Sequence, residues 1–267
     1  MSITFGPFAF ATTHLIFIVA ALLAFVVAWL VSRRSNHRVA DSVFNVLAVG
    51  LIVARASFVI RYFELYAEAP WQILNVRDGG FDLWAGVIGG ALMAVWEVVR
   101  RRSVLQPLAI ACVSGVLAWG AMTTWYDYKY GEELWVPEVR LATLDDRQVW
   151  LNREYRGKPL VVNLWATWCP PCVREMPLLE DAQQKWPDVA FVTVNQGDDL
   201  DLVLAFIQEQ GLNLDDMLMD YNSTLSTEIN SFALPTTLFF NAEGMLIDSH
   251  VGEFSAARLQ QAVDQIR

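Results

Sequence analysis

Cys169 and Cys172 stand three residues apart around Pro170 and Pro171, and no other part of the chain offers so direct a chemistry. Two thiols at that spacing cycle between dithiol and disulfide. Residues 159–165 form a nearly unbroken apolar run, as expected of a central strand buried on both faces. Residues 171–186 read as a helix. Cys169 therefore falls at a helix N-terminus, where backbone N–H groups without intrahelical partners favour negative charge. The thiolate is the nucleophile in disulfide exchange, so this placement activates the thiol. Pro170 and Pro171, with fixed φ and no N–H, suit a first helical turn. Cys172, one turn on, is placed to attack a mixed disulfide and release the product. The alternatives are a zinc-ligand pair or an inert buried pair. A structural zinc site wants a second Cys/His pair, and the one other cysteine, Cys112, stands alone in an apolar run.

The elements that must hold this pair follow an α/β pattern. Residues 139–144 and 148–151 read as a hairpin around Asp145 and Asp146. Residues 189–194 look like a second buried strand, and 199–210 a helix closed by Gly211. Residues 222–231 suggest a short helix. A second hairpin is expected from 236–240 and 245–251 around Asn241–Gly244. Ser255 caps a last helix through residue 266.

The other half is of a different kind. Hydrophobic residues make up 55% of the 267-residue chain, mean hydropathy is +0.33 and the isoelectric point is about 4.7. Residues 1–131 hold ten Lys and Arg against seven Asp and Glu, a balance of +3, whereas residues 132–267 stand at −13. An acidic half without a basic stripe argues against nucleic-acid binding and for a protein partner that is not itself strongly acidic. Four apolar runs, near 11–31, 42–60, 83–99 and 104–125, approach the ~20 residues that a membrane helix needs. The first is too long, and its charge lies on the wrong side, for a cleaved signal peptide. Gly86, Gly89 and Gly90 permit close helix packing in the third. Arg33, Arg34 and Arg38 follow the first run, and Arg100, Arg101 and Arg102 separate the third from the fourth. Both clusters belong on the cytoplasmic side, which puts everything after Trp125 outside. The expected organisation is a membrane α-helical bundle over residues 1–125, a connector over 126–137, and an α/β domain over 138–267.

At this point the residues become recognisable. Asn163-Leu164-Trp165-Ala166-Thr167-Trp168-Cys169-Pro170-Pro171-Cys172-Val173-Arg174-Glu175-Met176-Pro177 resembles the signature of the TlpA/ResA/CcmG branch of the thioredoxin superfamily. Gly157-Lys158-Pro159 and Leu234-Pro235-Thr236-Thr237 extend the likeness, which covers about residues 134–267. The resemblance implies a thioredoxin-like fold and a membrane-tethered, extracytoplasmic thiol–disulfide oxidoreductase, mostly a reductase. It needs no cofactor beyond the redox-active Cys169–Cys172 disulfide, and no metal. Pro235 takes the place of the family's cis-proline. Glu175 matches an acidic residue able to exchange protons with the buried thiol, and its alternative is a solvated helix-face glutamate. Asn163 stands where ordinary thioredoxins carry a buried aspartate. Trp168 is expected to shield the sulfurs or simply to pack, with Pro170, Pro171, Leu234 and Thr236 completing the substrate-facing and packing set.

The N-terminal half resembles the first part of prolipoprotein diacylglyceryl transferase, through Phe5-Gly6-Pro7, Ala54-Arg55 and Gly79–Gly90. Trp84 replaces that family's functional histidine and Thr13 its early tyrosine, so transferase chemistry is expected to be lost. Arg55, inside a span, is expected either to meet an anionic lipid headgroup or to snorkel or pair with Glu64. The membrane half holds no cysteine pair, so recharging the active-site dithiol calls for another protein, such as a DsbD- or CcdA-like membrane electron donor. The reading is therefore a disulfide reductase of the inner membrane, periplasmic in its C-terminal domain, with membrane lipids and protein thiols or disulfides as partners. A thiol oxidase or isomerase is the alternative, and a lipid- or lipoprotein-binding module with a docking thioredoxin domain is a second.

Overall fold

The computed structural model describes residues 2–5, 8–32, 39–130 and 134–267. Two compact units result. One lies within residues 12–130. The other lies within residues 134–267 and also takes in a short antiparallel hairpin, β1 (Ser2–Phe5) with β2 (Phe8–Ala11).

In the first unit the four apolar runs become α1 (Thr12–Ser32), α2 (Val39–Arg61), α4 (Leu83–Arg100) and α5 (Leu105–Tyr130), with a short α3 (Phe63–Glu68) after α2. By length and composition, three helices among the described residues suit a membrane crossing: Val39–Arg61, Leu83–Arg100 and Arg102–Tyr126. Within α1 the apolar stretch is the shorter Leu15–Val31. The Arg33, Arg34 and Arg38 cluster lies outside the described residues, as do residues 131–133 of the expected connector. The first part of that connector is helical instead, because residues 126–130 hold no Gly or Pro to stop a helix.

Small residues set the helix pairing. A Cβ on Gly50 would lie 3.1 Å from the Gly86 carbonyl oxygen, and one on Gly89 would fall 2.7 Å from the Val53 side chain. Helices α2 and α4 can therefore approach backbone to backbone, as the glycine run suggested. Gly115 on α5 meets Ala24 of α1 in the same way, at 3.1 Å.

The second unit is a seven-stranded mixed sheet flanked by helices. In chain order it has β3 (Arg140–Thr143), β4 (Gln148–Trp150), α6 (Leu151–Glu154), β5 (Leu160–Trp165), α7 (Pro170–Lys185), β6 (Ala190–Gln196) and α8 (Leu200–Gln210). It continues with β7 (Asp216–Asp220), α9 (Thr224–Glu228), β8 (Thr236–Phe240), β9 (Leu246–Val251) and α10 (Ala256–Ile266). The strand order is β4-β3-β7-β6-β5-β8-β9. Central β5 is buried at every residue; it runs parallel to β6 and antiparallel to β8.

The period-two pleat divides the core. Val161, Trp165 and Phe239 join Met176, Leu179 and Val263 on one face of the sheet. Leu160, Val162, Leu164, Leu238 and Phe240 pack with Leu225 on the other. Strand β7 fell where no strand was expected. Its apolar stretch is only Met217-Leu218-Met219 between acidic residues, which strands disfavour; pairing with β6 on one side and β3 on the other forms it anyway. Ser255 caps α10 as expected, its hydroxyl accepting from the Arg258 N–H.

Candidate active site

Strand β5 ends at Trp165, and a short turn through Ala166, Thr167 and Trp168 delivers Cys169 to the N-cap of α7. The Cys169 N–H donates to the Ala166 carbonyl at 3.2 Å, closing the turn. Pro170 and Pro171 fill the first two helical positions, where a missing N–H costs nothing. Cys169 and Cys172 are joined in a disulfide with an S–S distance of 2.05 Å. The Cys172 N–H points at the Cys169 sulfur, 3.4 Å away. That sulfur thus receives the backbone donor and the helix-terminal charge that favour a thiolate. Both cysteines are buried, Cys169 at 4% exposure and Cys172 at 0%.

Glu175, one turn beyond Cys172 on the same helix, is buried at 2% exposure and is not a solvated helix-face residue. Its Oε1 accepts from Asn163 Nδ2 at 2.6 Å, and the same amide donates to Thr237 Oγ1 at 2.9 Å. Glu175 Oε2 and Asn163 Oδ1 complete no hydrogen bond. Burial pushes the Glu175 carboxyl up to about 8, against the opposing pull of the Asn163 hydrogen bond. Glu253 adds to the rise, and the nearby Phe254 amide works weakly against it. A carboxyl in that range gains and loses its proton near neutrality, as an acid–base group must.

The remaining residues picked from the sequence divide. The Leu234–Pro235 peptide is cis. Leu234 packs against the cluster that contains both cysteines. Trp168 is 68% exposed. Thr236 does not share the cysteines' face. Its hydroxyl donates to the Ala233 carbonyl at 2.7 Å, and it lines a cavity of about 260 Å³ on the opposite side of the sheet with Trp135, Ile229 and Leu238. Its neighbour Thr237 holds the place by the active-site network, a residue sequence reasoning passed over. The alternation of β8 was the available signal, since Thr237 shares a face with Phe239 and pairs with Asn163.

Arg55 pairs with Asp78 rather than with Glu64. Its guanidinium forms a buried ion pair with Asp78, Nη1 to Oδ1 at 2.9 Å. Nε donates to the Ile73 carbonyl, Nη1 to that of Gly80, and Nη2 to those of Gln72 and Asn75. All five N–H donors of an arginine are used this way. Tyr66 donates to Asp78 Oδ2 at 2.9 Å and the Gly80 N–H to Oδ1 at 3.0 Å. The network folds the loop between α2 and α4 onto one side chain. Trp84, in the first turn of α4, is 75% exposed. A second buried carboxylate, Glu97 on α4, accepts from Ser42 at 3.1 Å and Asn45 at 2.9 Å, both on α2.

Comparisons with known proteins follow the same division. Residues 130–266 match the Redoxin family, and residues 1–122 match prolipoprotein diacylglyceryl transferase. Among curated relatives, the thioredoxin-like protein YneN of Bacillus subtilis is 28% identical over 60% of this chain and 96% of its own. The thiol:disulfide interchange protein DsbE of Pseudomonas fluorescens biotype C is 30% identical over 49% of this chain and 77% of its own. Among solved structures, that of MTB dsbF in its mixed oxidized and reduced forms matches with a TM-score of 0.46 and 25% identity. It covers 49% of this chain and 99% of that one.

Proposed function

The chain belongs to the redoxin family, and on that premise we propose that it is a membrane-anchored thiol–disulfide oxidoreductase that reduces protein disulfides outside the cytoplasm. The observation that carries the reading is the Cys169–Cys172 disulfide at the start of α7, with the buried Glu175 carboxyl one turn behind it.

In the reduced enzyme the Cys169 thiolate attacks one sulfur of a substrate disulfide. The substrate S–S bond breaks, a mixed disulfide forms with Cys169, and the first substrate sulfur leaves as a thiolate that takes a proton from water. Cys172 then loses its proton to ionised Glu175 and attacks the Cys169 sulfur. The Cys169–Cys172 bond forms and the second substrate thiolate departs. The substrate gains two electrons, which the enzyme loses; the Cys172 proton stays on Glu175, and the second substrate thiolate, like the first, takes its proton from water. Re-reduction runs the steps backward, with protonated Glu175 returning its proton to Cys172. In this reading Pro235, Leu234 and the exposed Trp168 offer a substrate strand its first contacts. Thr237 and Asn163 orient Glu175 rather than touching substrate.

The electrons come from elsewhere. Cys112 is the single cysteine outside the motif and lies within α5, so the dithiol is recharged by a separate membrane thiol donor of the DsbD or CcdA kind. The apolar helices tether the domain to the inner membrane. The saturated Arg55 gives the membrane unit a structural lock in place of a lipid site.

Full-length protein in detergent micelles, reduced and then mixed with a disulfide-containing protein, tests the assignment. The wild type is expected to release free substrate thiols, Cys172→Ser to stop at a mixed disulfide, and Cys169→Ser to do neither. Equal activity of Cys169→Ser and wild type would refute it.

A further inference from the structure

We propose that Asp198 is a positioning residue for Cys169, holding by a backbone hydrogen bond the turn that carries this cysteine onto the N-terminus of α7. The inference rests on the reading of Cys169 as the attacking thiol.

Asp198 lies two residues beyond the end of β6 and is buried to 7% exposure. Its Oδ2 accepts from the Thr167 N–H at 2.8 Å and from Asn195 Nδ2 at 2.8 Å. The Asp198 N–H donates back to Asn195 Oδ1 at 3.1 Å, so the two side chains fix one another. Thr167 is two residues before Cys169, in a turn with little other hold. Trp168 at its tip stands in solvent. The turn's own closure is the bond from the Cys169 N–H to the Ala166 carbonyl. Asp198 therefore joins the end of β6 to the one loop on which the orientation of Cys169 depends.

The residue type supports more than filling. Taking a carboxylate out of water is expensive unless strong hydrogen bonds compensate, and none of the ion pairs among the described residues involves Asp198. In the oxidised form the disulfide itself keeps the Cys169 sulfur over the helix. In the dithiol form that bond is gone, and the turn must keep the sulfur where the Cys172 N–H and the helix terminus stabilise a thiolate. Asp198 acts in that state. It touches neither sulfur nor substrate in this account.

The test follows the alkylation rate of Cys169 by iodoacetamide against pH, read by mass spectrometry of its peptide. It uses the full-length chain in detergent with Cys172→Ala, so that one motif thiol is followed apart from Cys112. Asp198→Ala removes the acceptor, whereas Asp198→Asn keeps an oxygen for Thr167 and Asn195 while removing the charge. Asp198→Ala is expected to slow alkylation at pH 7 about three- to tenfold and move the profile to higher pH, the scale of a helix-terminal interaction. Asp198→Asn is expected to stay within about twofold of the parent. If Asp198→Ala does not fold, Asp198→Ser, too short to reach the Thr167 amide, replaces it with the same expectation. An unchanged profile in the acceptor-less variant overturns the proposal, and so does an equal loss in Asp198→Asn, which would assign the effect to charge. A parent profile no lower than an ordinary thiol's ~8.5 would instead count against Cys169 as the activated nucleophile; the comparison among Asp198 variants is read separately.

Discussion

At the scale of single residues, the site depends on groups with unequal environments. Cys169 receives a backbone N–H at a helix terminus, while Cys172 is fully buried. In the proposed mechanism Glu175 takes the Cys172 proton. Its raised pKa of about 8 also predicts how stability changes with pH. Between the ordinary glutamate range, near 4.5, and about 8, the unfolded chain has released a proton that the folded one still holds. Stability therefore falls as pH rises through that window and levels off above it. Glu175→Gln removes the titration. It is expected to unfold at a higher temperature than wild type at pH 8.5, with the gap closing toward pH 4, and thermal unfolding of the oxidised protein at both pH values checks this. The same variant is expected to slow the Cys172 step about a hundredfold, the scale of a lost acid–base group. Single-turnover decay of the mixed disulfide reads that rate. Unchanged decay would move Glu175 from chemistry to packing.

At the scale of elements, two devices hold the parts in place, and both can be broken. Arg55 gathers the loop between α2 and α4 around Asp78, whose side chain is 0% exposed. Arg55→Ala leaves that carboxylate without its cation, a change that typically costs about 3–5 kcal/mol; a clear drop in the thermal unfolding temperature in detergent is expected. Gly50→Leu drives a side chain into the Gly86 backbone and is expected to loosen the α2–α4 pair. How much of this was legible depends on whether the signal was local. The helix of the motif, the buried strand before it, both hairpins and the glycine face of α4 are written in short-range pattern, and each appears. The partner of Arg55 was not, because Asp78 lies 23 residues away and is brought in by the loop's own fold; Glu64 was nearer in sequence and carried the same charge. Strand β7 hid for a related reason: its stability comes from neighbours on both sides rather than from its own composition. Thr236 was preferred to Thr237 because a linear motif does not say which face a residue takes, although strand alternation does.

At the scale of the whole molecule, an apolar helical unit and an acidic thioredoxin-like unit share one chain, and a single dithiol carries its redox chemistry. If the second unit faces outward, protease added to intact spheroplasts is expected to digest residues 134–267 while leaving the apolar helices protected. Protection of the whole chain would reverse the orientation. Cys112→Ala is expected to leave turnover with an external dithiol unchanged, since no second cysteine stands beside it to form a relay. The direction of electron flow is the central claim, and it is a property of the dithiol as the whole protein presents it. Equilibrating the full-length protein in detergent against glutathione or dithiothreitol buffers gives the reduction potential of the Cys169–Cys172 couple. The account predicts a strongly reducing value, near the ~ −270 mV of thioredoxin. A value near the ~ −120 mV of the strong periplasmic oxidant would contradict it and make this protein an oxidase.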